Sequence, residues 1–120
     1  MFPCPCCGYL VHDEPAGSHA ICPICYWEDD LVQLRWPAYR GGANKASLVD
    51  AQQNYADSGA SELQFKDLVR APQENERRDE GWHVIGHMTE LFEPTGDTTE
   101  PWPDDRATLY WWRPTFWRRK

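Results

Sequence analysis

Helical periodicity is clearest in the middle of the chain. Apolar side chains recur at helical spacing between residues 48 and 56. Ser47 is placed to cap the first turn, and Gly59 is placed to end the run. These signals predict a helix over residues 47–58. The stretch 61–69 predicts a second, shorter helix, because apolar residues recur there after a serine.

The C-terminal third alternates between two faces instead. Side chains from 82 to 89 and again from 107 to 113 follow the period-2 pattern of β-strands. Prolines and a glycine interrupt the stretch 93–106, which predicts a loop. The two runs therefore predict an antiparallel β-hairpin. His83 and His87 share one face of its first strand, and a pair without a third ligand favours solvent-facing histidines over a metal site.

All five cysteines lie in the first 25 residues. Cys4, Cys7, Cys22 and Cys25 give the pattern C-x2-C-x14-C-x2-C, one residue below the usual gap of about 15–20 between the pairs of a zinc ribbon. Each C-x2-C pair suits a tight turn, so that two turns supply four thiolates to one tetrahedral ion. The spacing predicts one structural metal ion. A closed four-sulfur site suits zinc or iron; we favour Zn²⁺, with iron as the alternative.

The residues around these turns refine the picture. Gly8 can adopt the positive φ that ends such a turn, whereas Tyr26 at the equivalent position predicts a different or a strained geometry. Cys6 is left over, and we interpret it as a spare packed or exposed thiol rather than a reactive one. His12 and His19 lie between the pairs and are not expected to be ligands, since four well-spaced cysteines are already present.

Three blocks of this sequence occur in the order known from one family. They read CPCCGY from Cys4, ICPICYWEDD from Ile21 and GGANKASL from Gly41. The chain resembles the bacterial cysteine-rich CPCC family over about residues 4–60. That resemblance implies a small bacterial protein with a zinc ribbon and no settled biochemical activity. The region after about residue 72 follows no family pattern.

Together the patterns predict an α+β fold packed as one domain, residues 1–120. A small, CPCC-like zinc-ribbon module, residues 1–60 with helix 47–58, is followed by one or two short helices and the C-terminal antiparallel β-hairpin. The helix and hairpin form a variable region, residues 61–120. Motifs of hydrolases, zinc proteases and phosphate-binding loops are absent. We therefore expect a protein without enzymatic activity.

Composition and charge restrict the class of partner. The chain has 12 Lys and Arg against 19 Asp and Glu, which gives a net charge of −7. A chain this acidic is a poor nucleic-acid ligand by default. No apolar run approaches the ~18 residues that a membrane helix needs. The first five residues have no secretory signal, so we expect a cytoplasmic location, where clustered cysteines hold metal rather than disulfides.

Charge is separated near the C-terminus. Residues 90–105 carry six acids and no base, and residues 106–120 carry five bases and no acid. Either the acidic loop binds a basic partner, or loop and tail neutralise each other within the fold. The candidate partner-binding residues are Glu93, Asp97, Glu100, Trp102, Asp104 and Asp105. The tail also interleaves arginine with aromatic residues that can stack on single-stranded bases, although core packing with cation–π contacts is favoured: Trp111, Trp112, Phe116 and Trp117.

These observations predict a metal-binding interaction protein. The specific hypothesis is an acidic immunity or inhibitor-type protein that binds and neutralises a basic toxin domain encoded nearby, because Trp and Tyr are common interface anchors. The alternatives are a zinc-ribbon nucleic-acid-binding protein that uses the Arg/Trp-rich tail, and a rubredoxin-like iron redox protein. A second acidic run, residues 28–30, is interpreted as a solvated loop or helix start rather than a partner-facing patch.

Overall fold

Short elements connected by turns make up the fold. The computed structural model describes residues 1–86 and 91–118. Its elements are strands β1 (Phe2–Pro3) and β2 (Leu10–His12), helices α1 (Leu31–Arg35) and α2 (Leu48–Ser58), and 3₁₀ helices at Leu63–Leu68 and Arg106–Leu109. The two strands pair antiparallel, with an irregular register between Phe2 and Pro3. One hydrophobic core joins the N-terminal cysteines to the C-terminal aromatic residues, so the chain forms a single α+β globule.

Helix α2 forms where the sequence predicts it. The Ser47 hydroxyl accepts a hydrogen bond from the Asp50 N–H at 3.1 Å, which caps the first turn. Gly59 ends the helix in the left-handed conformation, with φ of 84°. The second predicted helix is also present, although it is a 3₁₀ helix. Local capping residues therefore determine the boundaries of α2.

Two of the three acids before α1 are buried rather than solvated. Asp30 caps the helix, because its Oδ1 accepts hydrogen bonds from the N–H groups of Val32 and Gln33. Its Oδ2 accepts a third hydrogen bond from Ala43 N–H at 2.7 Å. Asp29 is buried as well, whereas Glu28 is half-buried. Of the two interpretations, solvated loop or helix start, the helix start is confirmed at Asp30.

A buried amide network holds the loop after α1 in place. The Gln33 side-chain N–H group lies within 3.1 Å of three backbone carbonyls, and its oxygen accepts from both N–H groups of Asn44 at 3.0 Å. Asn44 in turn bonds to the backbone of Glu28 in both directions. Gly42 fits here because a Cβ would lie 2.6 Å from Asp30 Oδ2. Two side-chain amides thus pair with the backbone groups of this loop, as a neighbouring strand would in a sheet.

The predicted C-terminal hairpin is wrong. Residues 82–86 form no strand, and residues 106–109 form a 3₁₀ helix that is followed by turns. Residues 87–90, including His87, lie outside the described residues. The physical reason is burial: four consecutive side chains, 109–112, are all buried, whereas a strand with one solvent-facing side buries every second one. Turns direct all four into the core.

A buried ion pair connects the two halves of the protein. Arg35 donates to both carboxylate oxygens of Glu93, at 2.8 and 2.9 Å, and to the Glu100 carbonyl at 2.7 Å. The two side chains are only 1% and 4% exposed. The guanidinium also lies 4.6–5.0 Å from three indole rings, those of Trp36, Trp102 and Trp117. Hydrogen bonds from Nε and Nη2 and the cation–π contacts stabilise this buried cation, whereas Nη1 is buried without a hydrogen-bond partner among the described residues.

We predict that Glu93→Ala destabilises the metal-loaded protein by about 3–5 kcal/mol, because it leaves the Arg35 charge buried without its partner. Urea unfolding measures the difference. The control Glu74→Ala removes an exposed carboxylate and should change stability by less than about 0.5 kcal/mol. Equal losses in the two variants would contradict the role assigned to the buried pair.

Candidate metal centre

Four cysteine thiols meet in the core. The sulfurs of Cys4, Cys7, Cys22 and Cys25 all lie within 4.8 Å of one another, and all four side chains are buried. Two of the separations are 3.6 Å, between Cys4 and Cys25, and 3.7 Å, between Cys7 and Cys22. A tetrahedron with metal–sulfur bonds of about 2.3 Å has edges of about 3.8 Å. The sulfurs therefore fit one tetrahedral metal ion.

The two C-x2-C turns have the same backbone geometry. In each turn the carbonyl of the first cysteine accepts a hydrogen bond from the residue four positions later, Gly8 at 2.7 Å and Tyr26 at 2.8 Å. Both of these residues have positive φ, 84° and 72°. A residue with a side chain costs about 1–2 kcal/mol in this conformation. The sequence predicted either a different or a strained geometry for the second turn, and the structure shows the strained geometry at Tyr26. The Tyr26 ring packs on Phe65, with ring centroids 4.5 Å apart.

Electrostatics in the cluster favours a bound cation. Burial raises the pKa of the Cys4 and Cys25 thiols. Hydrogen bonds from Cys25, Cys4 and Cys7 lower the pKa of Cys22, and the Ile24 N–H lies 3.4 Å from the Cys22 sulfur. Four thiolates at this depth require a metal ion to neutralise them.

Among the described residues, Cys6 and the histidines lie outside this set of four ligands. Cys6 is buried, and burial raises the pKa of its thiol, so it is packed and not activated. His12 is buried on β2, and His19 is exposed with Nδ1 3.6 Å from a Glu28 carboxylate oxygen. His83 Nδ1 lies 2.9 Å from the Val84 carbonyl. Among the described residues, the four cysteines are the only cluster of this kind.

Comparison with known proteins identifies the domain that holds this cluster. Residues 2–76 match the family model described as cysteine-rich CPCC. The chain belongs to the cysteine-rich CPCC family. The match extends beyond the three sequence blocks and includes both helices of the described fold. No curated protein matches the chain. In the described residues, no helix is long and apolar enough to cross a membrane.

Residues beyond the CPCC match cover the first cysteine turn. The Trp82 indole N–H donates to the Pro5 carbonyl at 3.1 Å, and Arg78 Nε donates to the Cys7 carbonyl at 2.9 Å. The Arg78 guanidinium lies 4.8 Å from the rings of both Tyr9 and Trp82. A positive charge therefore sits beside a cluster that remains negative when four thiolates bind a dication. Neither residue belongs to a motif, so no local signal in the sequence marks them.

The candidate partner-binding residues divide into two groups. Glu93 is buried and paired with Arg35, so its prediction as a surface residue is wrong. Trp102 is 39% exposed. The remaining acids are half-buried or exposed, and none of them forms an ion pair within residues 1–86 and 91–118: Asp97, Glu100, Asp104 and Asp105.

The aromatic tail is part of the core of this CPCC protein. Three of its four large rings are buried and the fourth, Trp117, is half-buried. The preferred interpretation, core packing with cation–π contacts, is confirmed. Arg118 lies 4.0 Å from Glu93, and Arg113 pairs with Asp79 at 2.7 Å. Within the described residues the tail therefore contributes one long contact to the loop, at Glu93, whose carboxylate is paired mainly with Arg35; Glu90, Arg119 and Lys120 lie outside them.

We expect one zinc ion per chain in the purified protein. Cys7→Ala should lose the ion and most of the folding free energy, because structural zinc sites contribute about 10–16 kcal/mol. The adjacent Cys6→Ala should keep the ion. Elemental analysis and thermal unfolding of both variants test this matched pair. A red protein that contains iron in place of zinc would contradict the zinc assignment. If Cys6→Ala loses the metal while Cys7→Ala keeps it, the proposed ligand set is wrong.

We predict that Gly8→Ala destabilises the protein by about 2–5 kcal/mol through backbone strain and overpacking. The new Cβ would lie 2.4 Å from the Trp82 ring. In a Trp82→Ala background the same change should cost only the backbone contribution, about 1–2 kcal/mol. A double-mutant cycle on denaturant midpoints measures the coupling. Purely additive effects would show that Trp82 does not pack on this turn in solution.

Proposed function

We propose that this CPCC protein is a non-enzymatic, zinc-stabilised protein that binds a basic protein partner through its acidic loop, residues 97–105. The observation that carries the proposal is Trp102, which stays 39% exposed although its ring is held by buried neighbours. Aromatic side chains of this kind are the usual anchors of protein interfaces. In this protein the metal would stabilise the fold, and the acidic loop would bind the partner.

The metal centre suits a structural role. Four cysteines supply a complete tetrahedral ligand set, and all of them are buried. A catalytic zinc site keeps one coordination position open for water or substrate. Here the ligand set leaves none. The ion would therefore stabilise the fold and would not participate in a reaction.

The anchor residue is held rigidly. The Trp102 ring packs edge-to-face on Trp36, with centroids 5.5 Å apart. The Arg35 guanidinium lies 4.6 Å from the same ring, and Arg35 itself is fixed by Glu93. A side chain that is already ordered loses little conformational entropy when a partner binds. Such preorganisation favours affinity at this position.

The charge around the anchor defines the partner. Four carboxylates of the acidic loop have no ion-pair partner among the residues that the structure describes. The net charge of −7 becomes more negative by two when four thiolates bind a dication. This field accelerates association with a basic surface and disfavours an acidic one. The partner class that we propose is a basic toxin domain encoded nearby, which this protein would neutralise.

We predict that Trp102→Ala weakens binding to the basic protein encoded by a neighbouring gene at least about 30-fold, as expected for an interface hot spot. Asp104→Lys should mainly slow association, with a weaker salt dependence than the wild type. The control Glu74→Lys makes the same charge change at an exposed site outside the loop. Surface plasmon resonance at several salt concentrations separates the two effects. Equal losses in Asp104→Lys and Glu74→Lys would contradict a specific acidic loop.

A further inference from the structure

An apolar cavity lies beside the acidic loop. Its volume is about 310 Å³, and its apolar walls come from both halves of the chain: Trp36, Pro37, Ala38, Val49, Phe92 and Pro94. Ala38 and Pro94 are exposed, so the cavity lies at the surface. Ligand pockets span about 300–1,000 Å³. This cavity is at the lower limit, which suits a single side chain rather than a large ligand.

The cavity and the exposed anchor share one wall. Trp36 lines the cavity and packs against Trp102 in the edge-to-face pair. The Arg35 guanidinium lies 4.8 Å from the first ring and 4.6 Å from the second. One buried cation therefore fixes both indoles relative to each other. The exposed anchor and the cavity are therefore separated by a single indole, that of Trp36.

Acidic residues lie close to the cavity. Glu93 and Thr95 are the polar residues of the lining, and the Glu93 carboxylate is already paired with Arg35. The Asp97 N–H donates to the carbonyl of Pro94, a lining residue, at 2.9 Å, and the Glu100 carbonyl accepts from Arg35 at 2.7 Å. Asp97 and Glu100 therefore lie next to a residue of the lining and to the guanidinium that binds Glu93. An apolar centre with acids on one side is complementary to an apolar residue between basic ones.

We propose that this cavity receives one apolar side chain of the partner, flanked in the partner's sequence by basic residues that lie along the acidic loop. The inference rests on the proposed function, since it names the segment of the basic partner that would be recognised. It adds a specificity-determining pocket to an electrostatic surface. Charge alone would select any basic protein, whereas a pocket selects one residue of it.

Labelled peptides of defined sequence test the pocket directly. The probe is Lys-Arg-Leu-Arg-Lys with blocked ends, compared by fluorescence anisotropy with a version that has serine at the centre and a version with glutamate flanks. The leucine peptide should bind at least about tenfold more tightly than the serine peptide, because only leucine buries apolar surface. The glutamate-flanked peptide should not bind.

Two substitutions fill the cavity from opposite sides. Ala38→Phe and Thr95→Phe both change exposed lining residues and should remove the preference for leucine while leaving weak binding of the basic peptides. The control Ala56→Phe places the same ring on the exposed side of α2, outside the cavity, and should keep the preference. Zinc content and thermal unfolding verify that the variants are folded.

The outcomes separate the pocket from the proposed function. Equal affinities for the leucine and serine peptides, or a preference that survives both cavity-filling variants, would overturn the pocket. If the neighbouring-gene protein still binds with its dependence on Trp102, the proposed function stands without the pocket. If that protein does not bind while the leucine peptide does, the pocket stands and the proposed function is wrong.

Discussion

Four sulfurs confined within 4.8 Å of one another are the constraint on which this structure depends. Few regular elements support the fold: two strands of two and three residues and one helix longer than two turns. Turns and loops are costly to order, because each fixed residue loses conformational entropy. A metal ion that binds only the folded arrangement would contribute free energy to the fold at this point. The remaining residues then pack around the four sulfurs.

Buried polar side chains also hold the chain around this hydrophobic core. Side chains take over hydrogen bonds that strands and helices would otherwise provide: Gln33 and Asn44 hold one loop, and Asp30 holds the start of α1. The Arg35 side chain also replaces a backbone hydrogen bond, and it joins the end of α1 to a carbonyl 65 residues further along the chain. Buried groups of this kind are costly when left unpaired. Their pairing selects one arrangement of otherwise irregular chain.

Local signals in the sequence predicted local structure. Ser47 and Gly59 mark the ends of α2 because caps act within a few residues, and the cysteine spacing brings two similar turns together. The hairpin prediction was wrong because alternation assumes one exposed face, and residues 109–112 have none. Glu93 looked like a surface acid because nothing nearby in the sequence marks Arg35 as its partner. The contacts of Arg78 and Trp82 with the first cysteine turn were not predicted for the same reason, since both residues lie more than 70 positions away from it in the sequence.

The contact of Trp82 with the first cysteine turn has a consequence for where the folding unit ends. The family match stops at residue 76, yet the indole lies against Gly8 and caps the Pro5 carbonyl. A fragment ended at that boundary would expose this carbonyl and the flat side of the turn to water. The family match and the set of residues that pack on the first cysteine turn therefore end at different positions. In this protein the region without family resemblance is a structural component of the metal domain.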